Sequence, residues 1–273
     1  MSRIEEALNK AVQTSPGRPV SRAKANAPLA SELGEALAPI PSEHTLQTLT
    51  APHSHTAEEY RKLKEALIKE SSREGFNNVV LVTSANPKEG KSVTALNLAI
   101  SLAQEFDYTV LLLDADLRAP KSHTYLGIEP KIGLSDCLQG KADCSEALIR
   151  LAIGRLVLLP AGKALPNPAE LLSSNKMRQL LQELKHRYPD RFILIDSPPV
   201  NMFAETRALA AMADATILVV REGQSSREDI SDALEALDHR VMGVVYNGAR
   251  ELPFRKSSHY DHYAYAAPQE SGQ

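Results

Sequence analysis

Three short stretches of this chain carry residues suited to phosphate chemistry. The first, Gly90-Lys91-Ser92, ends a Walker A pattern. In such a loop the glycine lets backbone approach an anion, the lysine reaches the β- and γ-phosphates, and the serine hydroxyl ligates Mg²⁺. The second is Asp114-Ala115-Asp116-Leu117-Arg118 and the third is Asp196-Ser197-Pro198-Pro199. A carboxylate at the end of an apolar run is costly to bury unless it is paired or bound to a metal. A Mg²⁺ shared between phosphate oxygens, Ser92, Asp114 and Asp196 supplies such a partner. Ala85 stands where the Walker A pattern has its first glycine, and Lys88 lies inside the loop. The loop alone therefore also fits an ordinary strand-to-helix turn, and each aspartate alone also fits a helix cap or turn residue. Together they point to a nucleotide site, with Ala85, Lys88, Glu89, Gly90, Lys91, Ser92 and Val93 lining the phosphates.

The elements around these stretches give the same answer. Val79 to Thr83 is an apolar, β-branched run of the kind buried on both faces of a sheet. After the polar turn, Ala95, Leu96, Leu98, Ala99 and Leu102 recur at helical spacing. Free N–H groups at the start of that helix would face the same anion as the turn. Further strands are expected at 109–114, 155–160, 191–196, 214–220 and 241–246, the first spanning 78–84, with helices between most of them. That alternation predicts an α/β domain over 56–252: a mainly parallel sheet with helices on both faces, of the P-loop type. Ligands of such sheets sit at the C-terminal strand ends, where all three stretches lie.

The remainder of the 273 residues reads as appendages. Residues 1–13 are expected to form an amphipathic helix with Ile4, Ala7, Leu8 and Val12 on one face and a capping box from Ser2 to Glu5. Residues 14–55 are rich in Pro, Ala, Ser and Thr and are expected to be a flexible linker without a core of its own. A helix follows at 57–71, with Tyr60, Leu63, Leu67 and Ile68 on one side and Glu58, Arg61 and Lys64 on another. Residues 253–273 lack apolar periodicity and are expected to be mobile, yet hold Tyr260, Tyr263 and Tyr265 among only eight tyrosines. A net charge of −3 gives no field for nucleic acid or an anionic membrane. Cys137 and Cys144 read as thiols in a reducing cytosol. No apolar run reaches the roughly 18 residues that cross a bilayer, so a soluble or peripheral protein is expected.

These residues resemble the bacterial tyrosine kinases of the deviant Walker A superfamily. VTSANPKEGKS (82–92) is similar to their Walker A, LLLDADLR (111–118) to their additional acidic Walker motif, and FILIDSPP (191–198) to their Walker B. LPAGKALPNPAELLSS (159–174) resembles a loop of the same proteins, EEYRKL their subunit-contact helix, and HYDHYAY their C-terminal tyrosine cluster. The MSRIEEAL start resembles the stand-alone cytoplasmic form found with exopolysaccharide export systems. Two positions depart: the family commonly has Gly where Lys88 stands and Arg where Lys64 stands. Asn86 occupies the place where the related partitioning ATPases carry an extra lysine.

The resemblance implies an ATP- and Mg²⁺-dependent protein-tyrosine autokinase. Lys91 would act on the phosphates, and Asp116 would be the base, with Asp114 as the alternative. Asn247 would hold the adenine. Tyr260, Tyr263 and Tyr265 would accept phosphate in trans, and Glu58, Arg61 and Lys64 would join subunits of a homo-oligomer. A membrane-embedded polysaccharide co-polymerase is the implied activator, at the inner face of the membrane. Two other readings fit the loop: a nucleotide-switched ATPase that positions a partner, and a non-catalytic assembly module that only holds nucleotide.

Overall fold

A computed structural model describes residues 45–72, 77–187, 190–238 and 240–249. Within them seven strands form one sheet: β1 (Val79–Ser84), β2 (Thr109–Asp114), β3 (Ile149–Arg150), β4 (Leu156–Leu159), β5 (Arg191–Asp196), β6 (Ala215–Arg221) and β7 (Val241–Asn247). Their order is β3-β4-β2-β5-β1-β6-β7, and every neighbouring pair is parallel except β3 with β4. The expected strands are present with bounds shifted by at most a residue or two. β3 was not expected, because two residues offer no alternation to read.

Side chains alternate between two cores. Leu81, Leu111, Leu113, Ile193 and Ile195 face one, beneath helices Asn175–Arg187, Ala204–Met212 and Arg227–Ala236. Val80, Val82, Val110, Leu112, Phe192 and Leu194 face the other, beneath helices Lys91–Ala103 and His55–Ser71. The rows 110-112-114 and 192-194-196 share one parity. The strand-end carboxylates of Asp114 and Asp196 therefore continue the side that the Lys91–Ala103 helix covers. The two residues are also direct partners in the β2–β5 register.

The linker expected over 14–55 ends earlier than its composition suggests. Residues 47–50 form a short helix, Leu46 is 1% exposed, and Leu49 packs against the same core. The Thr48 amide and hydroxyl both donate to Asn97 Oδ1, at 3.0 and 2.9 Å, and Asn97 Nδ2 donates to the Thr45 carbonyl at 2.9 Å. This strap borrows a neighbouring helix's apolar surface, which two isolated leucines in a polar stretch do not announce. The next helix begins at His55, earlier than position 57, because Ser54 caps it by accepting from the Ala57 amide. The expected helix over 1–13 and the tail over 253–273, with Tyr260, Tyr263 and Tyr265, lie outside the described residues.

Candidate active site

The loop after β1 is built to leave backbone donors open. Gly90 is the N-cap of the Lys91–Ala103 helix, with φ of 97° and no side-chain cap, so no cap side chain engages the first-turn N–H groups of Lys91, Ser92 and Val93. Lys88 also has a positive φ, 67°, in the region that favours glycine. Its side chain is exposed, while Ala85 and Glu89 are fully buried. The Glu89 carboxylate turns inward, accepting from the Asn86 amide at 2.8 Å and from the Ser225 hydroxyl. Outside the loop, Arg221 Nη1 donates to the Lys88 carbonyl at 3.1 Å and Gln224 Nε2 to the Pro87 carbonyl at 3.2 Å. Among the expected loop residues, Glu89 thus offers a phosphate only its backbone.

Lys91, the three aspartates and Ser92 converge. Lys91 Nζ donates to Asp116 Oδ2 at 2.7 Å, lies 3.8 Å from Asp196 Oδ1, and is 3.3 Å from the Ser92 hydroxyl. Burial works against its charge, but Asp196, Asp116 and Asp114 more than offset that and hold its pKa above the ordinary lysine value. Asp114 is fully buried and accepts from the amides of Asp116 and Ser122, at 3.2 and 3.1 Å. Burial, then the Asp196 charge, push its carboxyl up to about 7. Asp116 stays slightly open, with Oδ1 accepting from the Ala119 amide at 3.1 Å.

Asp196 is the unsatisfied member. Both of its oxygens are buried without a hydrogen bond of full geometry. Burial raises its pKa, and Lys91 with the neighbouring Ser92 and Ser122 hydroxyls only partly opposes this. An orphaned buried carboxylate beside a serine hydroxyl at a phosphate loop fits a hard cation. Among the described residues no cluster of three or more His, Cys, Asp or Glu is arranged to hold a metal ion. Mg²⁺ commonly takes one or two carboxylates and completes its shell from phosphate and water, and Asp196 with the Ser92 hydroxyl offers ligands of that kind.

Asn247, at the end of β7, reaches the same loop. Its Nδ2 donates to the Glu89 carbonyl at 2.8 Å, leaving Oδ1 for another partner. Beside it lies a cavity of about 430 Å³ lined by Arg221, Glu222, Gly223 and Gly248. The expected subunit-contact residues lie on the His55–Ser71 helix, where Lys64 makes contacts separate from those of the other two. Lys64 is buried against Glu105 at the end of the phosphate-loop helix, with Glu65 at 3.3 Å. Glu58 and Arg61 pair with each other at 2.5 Å, and Arg61 also holds the Pro52 carbonyl. The sequence reading gave no role to Arg118, Glu205, Arg221 or Ser225. Only Arg118 had a signal, its place two residues after Asp116.

Comparisons with known proteins agree with this geometry. Residues 78–241 match the AAA domain family. The tyrosine-protein kinase YwqD of Bacillus subtilis (strain 168) is 36% identical over 218 residues, covering 79% of this chain and 89% of the relative. The tyrosine-protein kinase wzc of Salmonella typhimurium is 32% identical over 192 residues, 69% of this chain but 26% of that longer protein. Among solved structures, the kinase domain of Escherichia coli tyrosine kinase ETK superposes with a TM-score of 0.69 at 27% identity, covering 76% of this chain and 82% of that one.

Proposed function

This chain belongs to the bacterial tyrosine-protein kinases and is an enzyme of that class, and we propose that it is an autokinase that carries the γ-phosphoryl group of ATP to tyrosines of its own C-terminal tail. The observation that carries the reading is Lys91 held between Asp116 and Asp196 at the mouth of an uncapped helix start. A triphosphate in the loop would take hydrogen bonds from the first-turn N–H groups and draw the Lys91 ammonium away from Asp116. Asp116 would then be free to accept the phenol proton. As that proton leaves, the phenol oxygen bonds to the γ-phosphorus, the bond to the bridging oxygen breaks, and ADP departs. Ser92 and Asp196 would hold Mg²⁺, with Asp114 behind them. Bound there, the ion would neutralise charge on the β- and γ-phosphates. The cavity beside Asn247 has the size and glycine-rich wall for an adenine, and Asn247 Oδ1 could accept from its amino group.

The acceptors on this reading are Tyr260, Tyr263 and Tyr265 of a neighbouring copy, brought close through the Glu58–Arg61 helix face. A membrane-embedded polysaccharide co-polymerase would activate the enzyme at the inner face of the membrane.

Incubation with γ-labelled ATP and Mg²⁺, followed by separation of phosphoprotein from free phosphate, tests the reading. Label is expected on protein, mapped by mass spectrometry to Tyr260, Tyr263 or Tyr265. It should vanish in Lys91→Met and largely vanish when the three tyrosines are replaced by Phe. Free phosphate alone would indicate a nucleotide-switched ATPase, and bound nucleotide with neither product an assembly module.

A further inference from the structure

Glu205 is 2% exposed, in the first turn of the helix that follows the Asp196 loop. A buried carboxylate there needs a partner, and the partner is Arg118, whose Nε donates to Glu205 Oε1 at 2.5 Å. The same guanidinium donates through Nη1 to the Pro166 carbonyl at 3.1 Å and lies over the Phe203 ring, 4.3 Å from its centre. Arg118 therefore joins three segments: its own loop after β2, the 159–168 loop and the segment leading out of β5. Its loop carries Asp116 two residues earlier. That loop is also fixed by the Leu165 amide donating to the Leu117 carbonyl at 2.7 Å and by the Ala119 amide on Asp116 Oδ1.

We propose that Glu205 is a positioning residue for phosphoryl transfer: through Arg118 it clamps the loop that aims Asp116. Neither Glu205 nor Arg118 is required to touch nucleotide. The chemistry explains the choice of residues. Arginine offers a planar fork that serves a carboxylate and a carbonyl at once while its face rests on an aromatic ring, which lysine cannot reproduce. A carboxylate 2% exposed cannot reorient toward water, so the arginine it holds is fixed in turn. A misplacement on the order of 1 Å at a reacting group can cost about 10²-fold in rate. The clamp therefore acts on turnover rather than on nucleotide affinity.

The proposal rests on Asp116 accepting the phenol proton, and the test separates the two claims. Glu205→Gln is nearly isosteric and keeps an acceptor, while Arg118→Lys keeps the charge and loses the fork. For full-length protein, the turnover of autophosphorylation, the KM for ATP and the binding of a fluorescent ATP analogue with Mg²⁺ are compared. Both variants should lose tenfold or more in turnover, with KM and analogue affinity within about twofold of wild type. The double variant should be no slower than the worse single, because the two residues act as one unit. Wild-type turnover in Glu205→Gln, an equal loss of affinity, or multiplying losses in the double variant would each overturn the clamp. If Glu205→Gln does not fold, Arg118→Lys decides by the same measures. A fully active Asp116→Asn would instead sink the assignment of the base.

Discussion

Replacing Gly90 by alanine should disable the nucleotide loop while sparing the fold. Gly90 sits at φ 97°, where an L-residue pays about 1–2 kcal/mol. A Cβ at that position would lie 2.0 Å from Asn247 Nδ2, so the Asn247 side chain must move. Moving it breaks the 2.8 Å hydrogen bond to the Glu89 carbonyl, about 1 kcal/mol. The total is roughly 2–3 kcal/mol. Contacts of Lys88, Pro87 and Glu89 with the end of β6 and the segment after it remain, so the penalty falls on the binding-competent loop shape rather than on the core. At about 1.4 kcal/mol per tenfold, ATP affinity should drop roughly 30- to 150-fold. Equilibrium titration with a fluorescent ATP analogue and Mg²⁺, beside a thermal melt, measures both parts. Asn247→Ala separates the two causes. Alone it should cost about one hydrogen bond within the loop, and the proposed adenine contact of its Oδ1 besides. In the Gly90→Ala background it removes the obstruction and should cost little more. Affinity within threefold of wild type for Gly90→Ala, or strictly additive losses in the double variant, would refute the reasoning.

Three further outcomes are expected. Lys88→Gly should raise the melting temperature slightly, by the equivalent of about 0.5–1 kcal/mol, because the relief of a positive φ exceeds the entropy glycine adds to the unfolded chain; no change or a lower melt would contradict it. Asp114 has a folded pKa of about 7 against an ordinary value of 3.8, so the native state binds the extra proton between those values. Stability should therefore fall as pH rises from about 4 to about 7 and level off above, by at most about 4 kcal/mol, and melts across this range should be flatter for Asp114→Asn. Sedimentation should show self-association weakened by Glu58→Ala with Arg61→Ala and unchanged by Lys64→Met, since the Lys64 side chain is 8% exposed while those of Arg61 and Glu58 are 41% and 28% exposed; dissociation by Lys64→Met would reverse that placement.

The central strands were legible because they are buried on both faces and read as uninterrupted apolar runs. The strap at 45–50 was not, for the opposite reason. Leu46 and Leu49 show no period, and what stabilises the segment is Asn97, some fifty residues away, with both ends of its amide occupied. An asparagine in mid-helix looks merely unfavourable in one dimension. The surroundings of Lys64 were hidden in a similar way. Its spacing from Glu58 and Arg61 places three charges along one helix, but the partner that draws it inward, Glu105, lies at the far end of another element.

The site divides along the same line. Residue type and strand-end position were enough to bring Lys91, Ser92, Asp114, Asp116 and Asp196 together, because parallel strands deliver their C-terminal ends to one edge. The unequal states of the three carboxylates depend on facts that spacing does not contain. Asp114 and Asp196 face each other because β2 and β5 are neighbours in register, a pairing across some eighty residues of chain. Of that pair, Asp114 is hydrogen-bonded by the turn that follows it, whereas Asp196 is left without a partner of full geometry. Asp116, two residues beyond Asp114, leaves the strand and takes Lys91 instead. One buried acid is thereby held by backbone amides, one has Lys91 only at 3.8 Å and no hydrogen bond of full geometry, and one is ion-paired with Lys91 at 2.7 Å. The under-coordinated acid is suited to a cation and the closely paired acid to release when phosphate competes for its lysine. That inequality, rather than the count of aspartates, is what sets this arrangement apart from a plain cluster of buried acids.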